Sequence, residues 1–197
     1  WLLLAGIYAF ARTWLSPESS FVAALIFSTI PLAQAFFGTG YVDLPLALFG
    51  LLAFWSFLNW WKHESNDWLL LTAVFAGFGA AIKTLGGFSF LLLAVGFLCK
   101  LALAPSKKSF GRRFKAFLAF GGIASIFFLP WYLKTFLWTG NPVWPLYRPF
   151  FAWFGIDGSG TAFFNATLNE LASGAGTGLG LRDLLLTPVT ITFYGAK

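Results

Sequence analysis

Long apolar runs alternate along the chain with short polar breaks, and the run lengths predict helices that cross a membrane. A helix rises about 1.5 Å per residue and hydrocarbon is about 30 Å thick, so an uncharged run of about 17 to 25 residues predicts a crossing. The stretch from Trp1 to Ala11, closed by Arg12, reads as the tail of a truncated span in an internal fragment. Ser16, Pro17 and Glu18 supply an N-cap, a proline for the first helical position and an early acid, predicting a helix from Ser19 to Phe37 that Pro31 kinks. Leu44 to Trp61 is the cleanest span, with Asp43 as its N-cap and Trp55, Trp60 and Trp61 at the far end, where interfacial aromatics belong.

After the polar "KHESND" loop, Trp68 to Cys99 carries a single charge, Lys83. Its roughly 32 residues would make a helix of roughly 48 Å, too long for one crossing, so "KTLGG" is predicted to split it into two short spans. Ala116 to Leu133 makes the last span, with Pro130 near its end. The expected fold is all-α: a polytopic transmembrane helix bundle of about five full spans plus one truncated span over residues 1–133. An exoplasmic C-terminal segment of short helices and loops, 134–197, is expected to follow, since Leu184 to Phe193 is too short to cross.

Composition agrees with lipid as the main solvent, because 58% of residues are hydrophobic and only 10% are charged. A net charge of +6 raises nucleic acid as a partner, but the Lys and Arg residues concentrate in "PSKKSFGRRFK", Pro105 to Lys115, between apolar runs. That placement predicts a cytoplasmic loop of a multi-pass plasma (inner) membrane protein and no nucleic-acid partner. Span alternation then places Arg12, Lys62, Lys100, Lys107, Lys108, Arg112, Arg113 and Lys115, eight of the thirteen Lys and Arg residues, on the cytoplasmic side. Asp43, Lys83 and the chain after Pro130 fall outside. Cys99 has no partner for a disulfide or a thiolate metal site and reads as inert packing.

Candidate chemistry begins with Asp43. As an N-cap it contributes about 0.5 to 2 kcal/mol, yet it also stands near a second charge in an apolar setting. Lys83 is that charge: an ammonium inside an apolar run either snorkels to the headgroups or meets an anion such as a lipid-borne phosphate. In "LPWYLKTFLWTGNPVWPLYRP", Leu129 to Pro149, the aromatics suit the headgroup zone, Pro130 ends or bends the helix, and Thr139 to Pro142 form a turn. Lys134 and Arg148 add positive charge there. His63 reads as solvated, "SGAGTGLG" as a lid or linker rather than a phosphate loop, and the Asn165-Ala166-Thr167 sequon matters only where exported segments are glycosylated.

The order of "GTGYVDLPLALFGLLAF", "GFGAAIKTLGGFSFLL" and "LPWYLKTFLWTGNPVWPLY" resembles polytopic GT-C glycosyltransferases that use polyprenyl-phosphate sugars. The similar proteins are bacterial homologues of protein O-mannosyltransferases and of the lipid A aminoarabinose transferase. The shared pattern is an aromatic-x-Asp-Leu-Pro turn, a Gly-rich helix ending in Lys-x-x-Gly, a basic inner loop, and a helix running into Pro-Trp and then Thr-Gly-Asn-Pro. It covers residues 1–147.

The resemblance implies a sugar transfer from a polyprenyl-phosphate donor to an exoplasmic lipid, glycan or protein acceptor. It makes Asp43 the catalytic acid of the second exoplasmic loop, near the donor headgroup or a divalent metal. It makes Lys83 the lysine of the Lys-x-x-Gly turn, a substrate-binding position with Tyr41 beside Asp43, and it implies a primary base upstream of Trp1; Lys134 and Arg148 join the substrate-binding candidates through their own positive charge. It fixes no cofactor, and a divalent metal with Asp43 as ligand fits the same pattern. A transporter or lipid flippase also needs rare charges inside a bundle, and a non-catalytic membrane scaffold needs none; both remain alternatives from the residues alone.

Overall fold

Prolines and small residues decide how the apolar runs are cut. The computed structural model describes residues 1–37 and 41–143, and among them it contains seven helices and no strand. The chain divides into two units, 1–129 and 130–197. The helices are α1 (Leu2–Ala11), α2 (Pro17–Thr29), α3 (Pro31–Phe37), α4 (Asp43–His63), α5 (Asn66–Ile82), α6 (Gly86–Ala102) and α7 (Lys107–Thr139).

The start of α2 is as expected: the Ser16 hydroxyl accepts from the Ser19 backbone N–H at 3.2 Å, and Pro17 occupies the first turn. Pro31 does more than kink the run. Proline excludes the helical conformation at the residue before it, so Ile30 is extended (φ −64°, ψ 122°) and α2 and α3 meet at 77°.

Among the described residues two helices, α4 and α7, are long and apolar enough to cross a membrane, and the number is three if the bent α2–α3 pair counts as one span. At 21 residues, α4 is about 31 Å long, close to the hydrocarbon thickness. The α1, α5 and α6 helices are apolar but shorter, at 10 to 17 residues. The expected split of the Trp68–Cys99 run does occur, between Ile82 and Gly86.

The α7 helix corrects two expectations. It starts at Lys107, so most of the basic segment read as a loop is helix, capped by the Ser106 hydroxyl on the Ser109 N–H (3.2 Å). Lys and Arg are good helix formers, and the one weak residue in "KKSFGRRFK", Gly111, costs only about 1 kcal/mol. Pro130 does not end the helix, which runs on to Thr139. Proline removes one backbone hydrogen bond, and a membrane helix tolerates that loss where the freed groups find other partners. The Thr139–Pro142 turn forms as expected, with Gly140 at φ 73° and the Asn141 Oδ1 accepting from the Val143 N–H at 2.9 Å.

In unit 1 the core lies between α4, α5, α6 and α7, and α5 is its axis. Leu69, Thr72, Ala73, Ala76, Gly77 and Ala80 are buried on α5, at helical spacing and mostly small. Small residues let backbones approach, and at Gly77 an added Cβ would come within 2.7 Å of the Ala124 carbonyl oxygen on α7. Around this axis Trp60, Phe97 and Phe120 stack in sequence, with ring centroids 4.1 and 4.6 Å apart. Trp60 is therefore core, not an interfacial belt residue, at 2% exposure. Large apolar side chains face outward instead, among them Phe21 and Ile26 on α2, Leu91, Leu92 and Val95 on α6, and Ile126 on α7. Cys99 is exposed on α6 rather than packed inside.

The helices alternate in direction. The end of α4 and the start of α7 meet through Glu64 and Arg113, while the start of α4 meets the end of α5 through Asp43 and Lys83. Unit 1 thus has two charged ends separated by the length of α4.

Candidate functional site

The break between α5 and α6 is built around one extended residue. Lys83 leaves the helical region (φ −154°, ψ 145°), and its carbonyl then accepts from the Gly86 N–H at 2.7 Å, restarting the chain as α6 within three residues. This tight return needs glycine. A Cβ on Gly86 would sit 1.9 Å from the Gly79 carbonyl oxygen, a backbone atom that cannot move aside cheaply.

Lys83 Nζ donates to Asp43 Oδ1 at 2.8 Å, joining the end of α5 to the start of α4. The two side chains are 39% and 30% exposed, so the pair is reachable from outside the bundle. Asp43 is not the N-cap. Val42 holds that position without a side-chain cap bond, and Asp43 is the first helical residue with its carboxylate turned to Lys83. The ion pair outcompetes the cap because an ammonium is a stronger donor than a backbone N–H, and the positive end of the helix dipole still favours the acid.

Of the other residues singled out in the sequence, Tyr41 lies two positions before Asp43, 63% exposed, with its ring 5.5 Å from that of Phe36. Lys134, in the second unit, lies over the rings of Trp131 and Trp138 at 4.9 and 4.4 Å, a cation–π clasp within its own helix. Arg148, "SGAGTGLG", the Asn165 sequon and the Leu184–Phe193 stretch lie outside the described residues. Among the described residues no group of three or more His, Cys, Asp and Glu side chains stands together to hold a metal ion.

The opposite end carries a cluster that the sequence reading passed over. Glu64 follows α4 in the left-handed region (φ 50°) and accepts from Arg113 Nε at 2.9 Å and from Arg112, with Lys100 Nζ at 3.7 Å. Arg113 also donates to the carbonyls of Lys100 and Leu103, at 2.9 and 3.1 Å, closing the C-terminus of α6. Burial pushes the Glu64 carboxyl up, but the hydrogen bond and charge of Arg113 and the charge and hydrogen bond of Arg112 outweigh it, holding it below the usual carboxylate range. The available signal was topological: span alternation already put the "KHESND" loop and the basic segment at one end, and Glu64 is an acid within reach of both.

A protein family described as dolichyl-phosphate-mannose-protein mannosyltransferase matches residues 1–133. The chain belongs to this family. The match contains Tyr41, Asp43, Lys83 and the Glu64 cluster, so both charged ends lie within the mannosyltransferase domain. Membership makes this a membrane glycosyltransferase-family protein, in agreement with its apolar helices. No curated protein and no solved structure matches the chain.

Proposed function

We propose that this mannosyltransferase-family domain binds the headgroup of a polyprenyl-phosphate sugar at the Asp43–Lys83 end and transfers the sugar to an exoplasmic acceptor. The observation that carries the reading is the partly exposed Lys83–Asp43 pair, 2.8 Å apart, where the start of α4 meets the end of α5. An ammonium with a single exchangeable partner is suited to taking up a phosphate. The family's description, which names a dolichyl-phosphate sugar, supports the same donor class.

In the transfer, the bond between the anomeric carbon and the carrier phosphate oxygen breaks, and its electron pair leaves with the phosphate. Lys83 offsets the charge developing there, where a positioned cation acts most strongly in the transition state. Asp43 holds Lys83 in the resting site; once the ammonium turns to phosphate, the carboxylate accepts hydrogen bonds from the sugar. The acceptor hydroxyl forms the new bond and gives its proton to a base across the sugar ring. The charge bias along the chain orients this end to the exoplasm, with 105–115 in the cytoplasm and 134–197 outside.

The test is transfer of mannose from a polyprenyl-phosphate donor by the full-length protein in liposomes, comparing wild type with Asp43→Asn and Lys83→Ala. Both variants should stay in the membrane and lose transfer. Wild-type rates in both overturn the site, and movement of the lipid across the bilayer without a covalent product overturns the reaction.

A further inference from the structure

The Glu64 end of unit 1 holds a cavity of about 280 Å³ between α4, α5 and α7 that the transfer chemistry does not use. Its charged lining is Arg112, Arg113, Lys115 and Glu64, three cations to one anion. These cations are not equivalent. Arg113 is consumed, since every one of its guanidinium nitrogens is within hydrogen-bond distance of Glu64 or of a carbonyl of α6 or its C-terminus, and its side chain is only 11% exposed. Arg112 is 67% exposed and bonds Glu64 through one nitrogen, and Lys115 forms no ion pair among the described residues. Glu64 therefore spends its charge on Arg113, Arg112 and Lys100, and the cavity mouth keeps a cationic excess.

Apart from Asn66, the rest of the lining is apolar. Trp60 and Leu69, both buried, come from α4 and α5, and Ala116 and Ala119 from α7. Arg112, Lys115, Ala116 and Ala119 fall at helical spacing along one face of α7, the alanines one and two turns beyond Arg112. Ala116 and Ala119 are the smallest side chains in this lining.

We propose that this cavity binds the headgroup of an anionic phospholipid, with the phosphate at Arg112 and Lys115 and the first apolar atoms of the lipid against Ala116, Ala119 and Leu69. A free inorganic anion would use the cationic mouth alone; the apolar lining is what selects a lipid. The position agrees, because the cavity sits at the end of α4, a helix of about 31 Å, where a leaflet's headgroups lie. Basic recesses between helices at the cytoplasmic leaflet are the usual setting for anionic lipid recognition, and this end carries most of the chain's positive charge. Bound lipid would brace α7 against the α4–α5 turn, which Glu64 and Arg113 already tie together.

The experiment is retention of dioleoyl phosphatidylglycerol against dioleoyl phosphatidylcholine by the full chain, purified from mixed micelles and read by native mass spectrometry. Wild type should retain the anionic lipid preferentially, and Arg112→Ala with Lys115→Ala should weaken retention about 10- to 30-fold. Lys107→Ala with Lys108→Ala removes the same charge from the same segment outside the cavity and should change retention less than about threefold. Ala119→Leu leaves the charge alone and fills the hollow, and it should weaken retention as well. Equal losses in the two double variants, or full retention by Ala119→Leu, would reduce the effect to diffuse surface charge and overturn the site. Displacement of the lipid by inorganic phosphate at equal concentration would overturn the lipid assignment in favour of a simple anion site.

Discussion

The two ends of unit 1 use the same kinds of charge in opposite ways. At one end a single acid meets a single base, Asp43 and Lys83, with 30% and 39% of their side chains exposed. At the other, Glu64 is 16% exposed and contacts three cations, one of which, Arg113, is 11% exposed and bonds two further carbonyls. A lone, half-solvated pair is worth little to stability, about 0 to 1 kcal/mol, and can exchange partners readily. A multiply bonded and largely buried acid cannot, because releasing it from Arg113, 11% exposed, would leave a desolvated charge without its counter-ion. The first arrangement suits a site that greets a ligand, and the second suits a clamp that holds helices together.

The comparison breaks most visibly at Lys83. Lys83→Ala should reduce sugar transfer by about 100- to 1000-fold, the usual loss of one positioned transition-state contact, while the melting temperature in detergent stays near that of wild type. A large loss of melting temperature would make this pair a clamp as well. Glu64→Gln should do the reverse, destabilising the fold by about 2 to 3 kcal/mol with transfer per folded molecule unchanged, as read by denaturation and activity on the same preparation. That figure lies below the roughly 3 to 5 kcal/mol for a fully buried pair because Glu64 keeps some solvent contact.

Gly86→Ala should cost about 1 to 3 kcal/mol and reduce transfer too, since the Cβ meets the Gly79 carbonyl and displaces the return that aims Lys83 at Asp43. Gly121→Ala is the control: nothing lies within 4 Å of its added Cβ, so neither stability nor transfer should fall. Asp43→Asn should change stability by less than about 1 kcal/mol. The smallest effect is in pH. The Glu64 carboxyl is held below its ordinary value of 4.5, so its contribution is fully present above that value and is lost as pH falls through the lower folded-state value. Wild type should therefore lose stability in acid more steeply than Glu64→Gln, measured by thermal unfolding from neutral pH downward.

Much of the helix array was legible along the chain. The break at Lys83 followed from a run too long for one crossing that contained glycines, and the α2 start followed from Ser16 and Pro17. Boundaries that rest on competition were not legible. Asp43 reads as a cap because local rules score it against its own backbone, whereas its actual partner lies 40 residues away. Trp60 reads as interfacial from its place near the end of a span, yet α6 brings Phe97 over it and Phe120 of α7 stacks on Phe97 in turn.

The sequence by itself determined that the described residues would be helical, apolar enough for a membrane and basic at one end, because run length, apolar fraction and charge clustering are local quantities. It also carried the motif order that marks the mannosyltransferase family. Only the tertiary structure decided which charges meet. Antiparallel packing of α4 on α5 sets Lys83 against Asp43, and α7 lying beside the α4–α5 turn sets two arginines on Glu64. Those contacts join residues 40 to 49 positions apart, and their energies depend on burial and geometry that appear only once the helices have docked.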